Sequence, residues 1–277
     1  MNRYIFELQE VDYVYPGGSR ALQRISIAIE KNKRIAVLGP NGAGKSTMFL
    51  HLNGILKPKK GRVFFNGDEL RYTRKALTEL RKSVGIVFQD PDTQLFAGNV
   101  YQDISFGPIN LGLKESEVKA RVDEALAVMG IQNLRDKPTH HLSYGQKKRA
   151  SIAGVLAMEP EVIIFDEPTA YLDPKHSAGL MKILDGLYKS GKQVILSTHD
   201  VNLVYAWADH VFVMKNGAVK YHGTPLEVFE NELLLKETHL GKPILFDICS
   251  VLRQKGYFTD KLPRTLEEFK HNLNELI

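Results

Sequence analysis

Short apolar runs rich in β-branched residues alternate along this chain with longer stretches of helical period. Arg34–Leu38, Val84–Phe88, Val162–Phe165, Val194–Ser197 and Val211–Met214 carry little polarity, as strands covered on both faces of a mostly parallel sheet do. The pattern differs near the start. Ile25, Ile27 and Ile29 alternate with polar or small residues, which predicts a half-exposed antiparallel strand, and Pro16-Gly17-Gly18 marks a turn before it. Val63-Phe64-Phe65 followed by Asn66-Gly67 predicts another strand running into a tight turn. From Glu115 to Met129 the period becomes helical, with Val118, Val122, Leu126 and Met129 on one face and charges opposite. A helical insertion at about residues 90–160 thus interrupts an α/β pattern.

The last fifty or so residues stand apart. Thr224 to Glu227 has the spacing of a capping box with Pro225 at the first helical position. Thr265 to Glu268 has the same spacing, and Leu266, Phe269, Leu273 and Leu276 form one apolar stripe. Residues 1–225 therefore read as one α/β domain and 226–277 as a helical extension.

Composition narrows the setting. The 277 residues, 43% hydrophobic and 25% charged, suffice for a core without staples. The single cysteine, Cys249, excludes an intramolecular disulfide and fits a reducing compartment. Neither a signal peptide nor an apolar run of spanning length is expected, so at a membrane another chain must do the spanning. A net charge of +5 is modest for a nucleic-acid grip, and no nucleic-acid partner is expected.

The chemistry concentrates at strand ends. After Arg34–Leu38 comes Gly39-Pro40-Asn41-Gly42-Ala43-Gly44-Lys45-Ser46-Thr47, which fills every fixed position of the phosphate-binding P-loop between a strand and a helix. Glycines let the backbone wrap phosphate oxygens, with N–H groups converging at the positive end of a helix. Lys45 offers a compact charge to the β- and γ-phosphates, Ser46 a hydroxyl to Mg²⁺, and Thr47 a further phosphate contact. The strand Val162–Phe165 ends in Asp166-Glu167. Asp166 is placed to hold Mg²⁺ in the manner of a Walker B acid, and Glu167 to orient or deprotonate the attacking water. Together these features say nucleotide triphosphatase.

Leu142-Ser143-Tyr144-Gly145-Gln146 then opens a helix, with Ser143 and Gln146 at capping-box spacing. It lies shortly before the Asp166 strand and resembles the signature loop of ATP-binding-cassette (ABC) ATPases, usually Leu-Ser-Gly-Gly-Gln, with Tyr144 replacing the first glycine. The resemblance implies that Ser143, Tyr144, Gly145 and Gln146 grip ATP held by the P-loop of a second subunit. It also makes Gln89 the Q-loop glutamine, reaching metal and water, and His199 the switch histidine at the γ-phosphate. Asp173, in Tyr171-Leu172-Asp173, becomes the D-loop residue acting across the dimer, and Tyr171 departs from the small residue usual there. Tyr15 fits the aromatic that stacks on adenine, with Tyr13 the alternative. These motifs fall in family order over roughly residues 4–225. The implied fold is α/β: a P-loop ABC ATPase with a mostly parallel central sheet, an N-terminal antiparallel β subdomain, an inserted helical subdomain and a helical C-terminal extension.

Phe88 to Phe96 and Val100 to Gly107 look like the ATPases of energy-coupling-factor (ECF) importers, and Lys137 to Arg149 with Asp166 to Ala170 resemble their cobalt/nickel branch. The resemblance implies Mg-ATP, a second ATPase subunit, most simply a copy of this chain, and integral membrane partners, with the chain peripheral on the cytoplasmic face. It also implies a groove near residues 89–107, lined by Gln94, Leu95 and Phe96, for a helix of the membrane subunit. His140 and His141 lack a spaced third ligand, and no transition metal is assigned to this chain. Alternatives are a soluble ABC ATPase acting on nucleic acid or ribosomes, the ATPase of a vitamin-importing complex, and an exporter ATPase.

Overall fold

A computed structural model of the chain describes residues 3–257 and 262–274. In chain order, β1 (Tyr4–Val14), β2 (Arg20–Glu30) and β3 (Ile35–Leu38) lead into α1 (Lys45–Leu52). Then come β4 (Lys60–Phe65), β5 (Asp68–Glu69), α2 (Arg74–Ser83) and β6 (Val84–Val87). Three helices follow: α3 (Val100–Asn110), α4 (Glu115–Met129) and α5 (Tyr144–Leu156). The α/β alternation resumes with β7 (Val162–Phe165), α6 (Pro174–Lys189), β8 (Gln193–Thr198), α7 (Val201–Trp207), β9 (His210–Lys215) and β10 (Ala218–Gly223). The described chain closes with α8 (Pro225–Glu230), α9 (Glu232–Thr238), α10 (Ile244–Gln254) and α11 (Leu266–Asn274).

Two sheets result. The first, in order β2-β1-β4-β5, is antiparallel throughout. Its β4–β5 connection is the predicted tight turn, with Asn66 at φ 53° and Gly67 at φ 94°. The second runs β10-β9-β3-β8-β7-β6 and is parallel except for the β10–β9 hairpin. Its strands alternate between two cores, which is why they read as unbroken apolar runs. Ile35, Val37, Val162, Ile164, Ile195 and Phe212 face the antiparallel sheet and α1. Ala36, Leu38, Ile163, Phe165, Val194 and Leu196 face the helices.

The inserted helices bury the predicted α4 face of Val118, Val122, Leu126 and Met129. The C-terminal helices share the helix-side core, where Tyr205 meets Phe229 and Phe246 ring to ring. The Thr224 capping box forms reciprocally. The Thr265 box does not: Thr265 Oγ1 accepts from Glu268 N, but the Glu268 carboxylate accepts from Arg264 N instead. Arg264 is held in place because its guanidinium donates to the carbonyls of Tyr205 and Ala208. In the α11 stripe Leu266 and Leu273 are exposed while Phe269 packs on the core; Leu276 lies outside the described residues.

Parallel register aligns the carboxyl ends of the central strands. Leu38 pairs with Thr198 and Val213, and Phe165 with Leu196 and Val87. The segments after β3, β6, β7 and β8 therefore open on one edge, where ligands of open α/β sheets bind.

Candidate nucleotide site

The P-loop leaves β3 at Gly39, where a Cβ would lie 2.3 Å from the Met214 carbonyl oxygen of the neighbouring strand. It enters α1 at Gly44, at φ 100°, with Ala21 O 2.5 Å from the place of a Cβ. Only glycine fits either position. No side chain caps α1 and no acid stands in its first turn, so its leading N–H groups face the cleft as an anion site. Lys45 is buried; its Nζ donates to Gly39 O at 2.7 Å and Pro40 O at 3.2 Å.

The acids approach from β7. Asp166 N donates to Val87 O on the adjacent strand. Ser197 Oγ, at the end of β8, donates to Asp166 Oδ1 and accepts from Glu167 N at 2.9 Å. Glu167 turns into the cleft with φ 44°, a left-handed conformation rare for such a residue and frequent where strain serves a site. Its Oε1 stands 3.2 Å from Lys45 Nζ without hydrogen-bond alignment, and its Oε2 lies 3.1 Å from His199 Nδ1. Lys45, Glu167 and His199 thus stand in one line, with the Glu167 carboxylate between the other two. Gln89, Asn41, Gly42, Ala43, Gly44, Ser46 and Thr47 border the same cleft.

Tyr15 and Tyr13 divide cleanly. Tyr13 is buried against His51, whereas Tyr15 is 36% exposed, borders the cleft and shares a hydrogen bond with Thr47 Oγ1 at 3.1 Å. Of the two, only Tyr15 offers a ring to a ligand.

The signature-type residues gather elsewhere. Ser143, Tyr144, Gly145, Gln146 and Asp173 line a separate cleft with Tyr171 and His176. The capping box forms: Ser143 Oγ accepts from Gln146 N, and Gln146 Oε1 accepts from Ser143 N at 3.1 Å. Asp173 caps α6, accepting from His176 N at 3.0 Å, and hydrogen bonds from the His176 backbone and ring hold its carboxyl below the usual range.

Two contributors escaped the sequence patterns. Ser197 shapes the acids, as above. Lys148, buried on α5, donates from Nζ to Phe88 O at 2.9 Å and Gln89 O at 2.8 Å. Burial pulls its pKa down to about 8, against the opposing charges of Asp166, Asp90 and Glu167. Two of the three side chains expected to line a groove at 89–107 are engaged elsewhere. Gln94 is not free to line it, since its side chain bridges Phe88 N and Ser151 O, and Leu95 packs against the core. Phe96 is 65% exposed and meets exposed Phe106 edge to face. His140 and His141 pack on each other before α5.

The ABC transporter family pattern matches residues 22–170. The energy-coupling factor transporter ATP-binding protein EcfA of Methanocaldococcus jannaschii is 47% identical over 98% of this chain and 97% of its own length. The corresponding protein EcfA3 of Clostridium perfringens is 46% identical over 99% and 97%. Among solved structures, cbiO1 from Clostridium perfringens, part of the ABC transporter complex cbiONQ, superposes with a TM-score of 0.76 at 48% identity, covering 91% of this chain and all of that one. An ATP-binding cassette solved as a dimer in a post-hydrolysis state with ADP and phosphate gives 0.73 at 26% identity, over 79% and 98%.

Proposed function

The chain belongs to the ABC transporter ATPases, of the energy-coupling-factor type, and we propose that it powers the import of cobalt or nickel ions through membrane partners. The observation carrying its dimeric mechanism is the separation of the two clefts. The phosphate loop, Glu167, Gln89 and His199 open on one; Ser143, Tyr144, Gly145, Gln146 and Asp173 open on another, with Tyr171 and Leu172 bordering both. A chain so built has two half-sites and is completed by a second ATPase subunit, in the simplest case a copy of itself.

In this reading Tyr15 stacks on adenine, residues 39–47 hold the phosphates, and Ser143, Tyr144, Gly145, Gln146 and Asp173 close over ATP from the second subunit. Glu167 accepts the proton of the attacking water, and His199, on its Oε2, reaches the γ-phosphate. The donors in the cleft suit Mg²⁺: Ser46 is exposed at its rim, Asp166 is buried with Ser197 on one oxygen, and oxygen ligands are what this hard cation prefers. Ser46, Gln89 and Asp166 would hold it with the nucleotide, and when bound it supplies neutralising charge at the phosphates. Positioning and charge are most of what phosphoryl transfer requires. Because the γ-phosphate bridges two chains, its loss reopens the dimer, a two-state element biased by ligand.

Among the described residues no helix is long and apolar enough to cross a membrane; in this reading, which follows from the energy-coupling-factor role, coupling passes through partner subunits with the chain on the cytoplasmic face. The exposed Phe96 and Phe106 pair supplies an apolar contact for them. Residues 1–225 form the ATPase domain in this reading and 226–277 the extension. The cobalt or nickel assignment rests on the sequence resemblance and on the likeness to cbiO1. Co-purification of the tagged chain from gently solubilised native membranes, followed by mass spectrometry, tests it. Two hydrophobic proteins, one with N-terminal histidine and metal-ligand residues, would support the metal importer. A vitamin-type binding subunit would overturn the metal, and ribosomal proteins or nucleic acid without a membrane protein would overturn transport.

A further inference from the structure

The segment after β6 is fastened to α5 at several points. Lys148 Nζ donates to the carbonyls of both Phe88 and Gln89. The Tyr144 hydroxyl donates to the same Gln89 oxygen at 3.2 Å. Gln94 ties Phe88 N to Ser151 O, and Lys147 pairs with Asp92 at 2.6 Å. The Tyr144 ring also meets Tyr171 edge to face, centroids 5.7 Å apart. Tyr144 and Tyr171 are the two positions at which this chain departs from the usual signature and D-loop residues, and the fold places them against each other. A glycine at position 144 would have neither the hydroxyl for Gln89 nor the ring for Tyr171.

We propose that Lys148 and Tyr144 are positioning residues that clamp the Gln89 backbone to the signature helix, and that the Tyr144–Tyr171 contact joins the D-loop to the same unit. Gln89 reaches its cleft from a short loop, so its side chain is only as well placed as its main chain. Two donors on one carbonyl, one of them a buried ammonium, fix that main chain at the point where the loop leaves β6. Charge-assisted hydrogen bonds are the stronger kind, so Lys148 is the main fastener and Tyr144 the secondary one. Tyr144 additionally makes the loop sense the second subunit, because its own residue lines the cleft that closes over the partner's nucleotide.

This rests on Gln89 acting in hydrolysis, as proposed above. The clamp should serve kcat rather than nucleotide capture, since the P-loop lies outside it. Lys148→Met is expected to lower kcat roughly tenfold or more and Tyr144→Phe roughly two- to tenfold, from the usual worth of charged and neutral hydrogen bonds. ADP affinity, which reads the P-loop half-site, should stay within about twofold of the parent, on the principle that only transition-state contacts move kcat alone. Lys148→Arg, which keeps a donor, should recover part of the loss. Because both side chains share one acceptor, Tyr144→Phe with Lys148→Met should be less than additive. Tyr144→Phe deletes a single oxygen, so an unchanged kcat there removes its hydroxyl from the clamp even if Lys148→Met does not fold. The clamp is overturned if folded Lys148→Met or Tyr144→Phe keeps the parent kcat, or if ADP affinity falls as far as kcat. Gln89→Ala separates this from the site reading: parent-like turnover there would remove the role of Gln89 itself, whereas a slow Gln89→Ala beside fast clamp variants would remove only the clamp.

Discussion

Replacing Glu167 by glutamine preserves the side chain's shape and removes a charge that two groups face. In the folded chain Glu167 is 4% exposed, with Lys45 Nζ 3.2 Å from one carboxylate oxygen and His199 Nδ1 3.1 Å from the other. Orphaning a buried charge costs about 3–5 kcal/mol. Lys45 is not orphaned, because it keeps hydrogen bonds to the Gly39 and Pro40 carbonyls. The loss is therefore that of one charged contact, about 1–3 kcal/mol. At the middle of that range the nucleotide-free protein should melt roughly 4–8 °C lower. Turnover should fall much further, by about 10²–10⁴, the usual contribution of a positioned base. ATP binding should survive, since Lys45, relieved of its carboxylate, offers an unneutralised charge to phosphate. The expected outcome is a closed dimer that accumulates with Mg-ATP and scarcely hydrolyses it. Steady-state phosphate release, light scattering behind a sizing column with Mg-ATP, and a thermal melt without nucleotide read the three effects. A Glu167→Gln protein that stays monomeric with ATP while hydrolysing at the parent rate would refute the mechanism. An unchanged melt would refute the Lys45–Glu167 pairing.

Three further outcomes are expected. Tyr15→Ala should weaken ATP binding by about 1–3 kcal/mol, the usual worth of stacking on a base, with little change in melting, while Tyr13→Ala should cost about 3–5 kcal/mol of stability as a buried aromatic; calorimetry of both variants distinguishes them, and the reverse pattern would exchange their roles. Burial holds the pKa of His51 down despite its bond to the Thr47 carbonyl, and burial with His222 and Lys33 does the same for His210. Below the unfolded histidine value near 6.5 the unfolded chain binds more protons than the folded one, so stability should be fully present above that pH and decline as pH falls below it, less steeply in His51→Gln; denaturant melts at stepped pH measure this. Leu266→Ser with Leu273→Ser should weaken the nucleotide-free dimer, if the exposed stripe of α11 joins subunits, without the core damage expected from deleting Leu262–Arg264; sedimentation equilibrium reports it, and an unaltered dimer would count against that role.

How legible each of these residues was depends on whether its surroundings are local in sequence. The P-loop was readable because its chemistry is contiguous: Gly39 and Gly44 are demanded by the turn they make, and Lys45 and Ser46 follow on the same backbone. Asp166 and Glu167 were readable as polar residues ending an apolar strand. The alternation of β3, β7 and β8 between two cores made the parallel sheet visible as unbroken apolar runs. Ser197 carried no such sign. It looks like one more residue of a buried strand, and its hold on Asp166 and Glu167 exists only because β8 pairs with β7 in a particular register. Lys148 is the sharper case. Lys147, Lys148 and Arg149 carry no local sign that separates them, yet Lys148 is 1% exposed and spans to a loop 59 residues earlier. Gln94 failed in the opposite sense. It looked free for a partner, and the fold spends both ends of its amide on main-chain groups. The Thr265 spacing misled for a related reason, since a capping carboxylate takes the best N–H in reach, and docking of Arg264 onto α7 delivers a different one. What the sequence hid is thus mostly side chains whose partners, many of them backbone groups, are set by tertiary structure. Two of those contacts, from Lys148 and Gln94, join the segment after β6 to the signature helix, so the link on which the proposed clamp depends is among the parts least legible in the sequence.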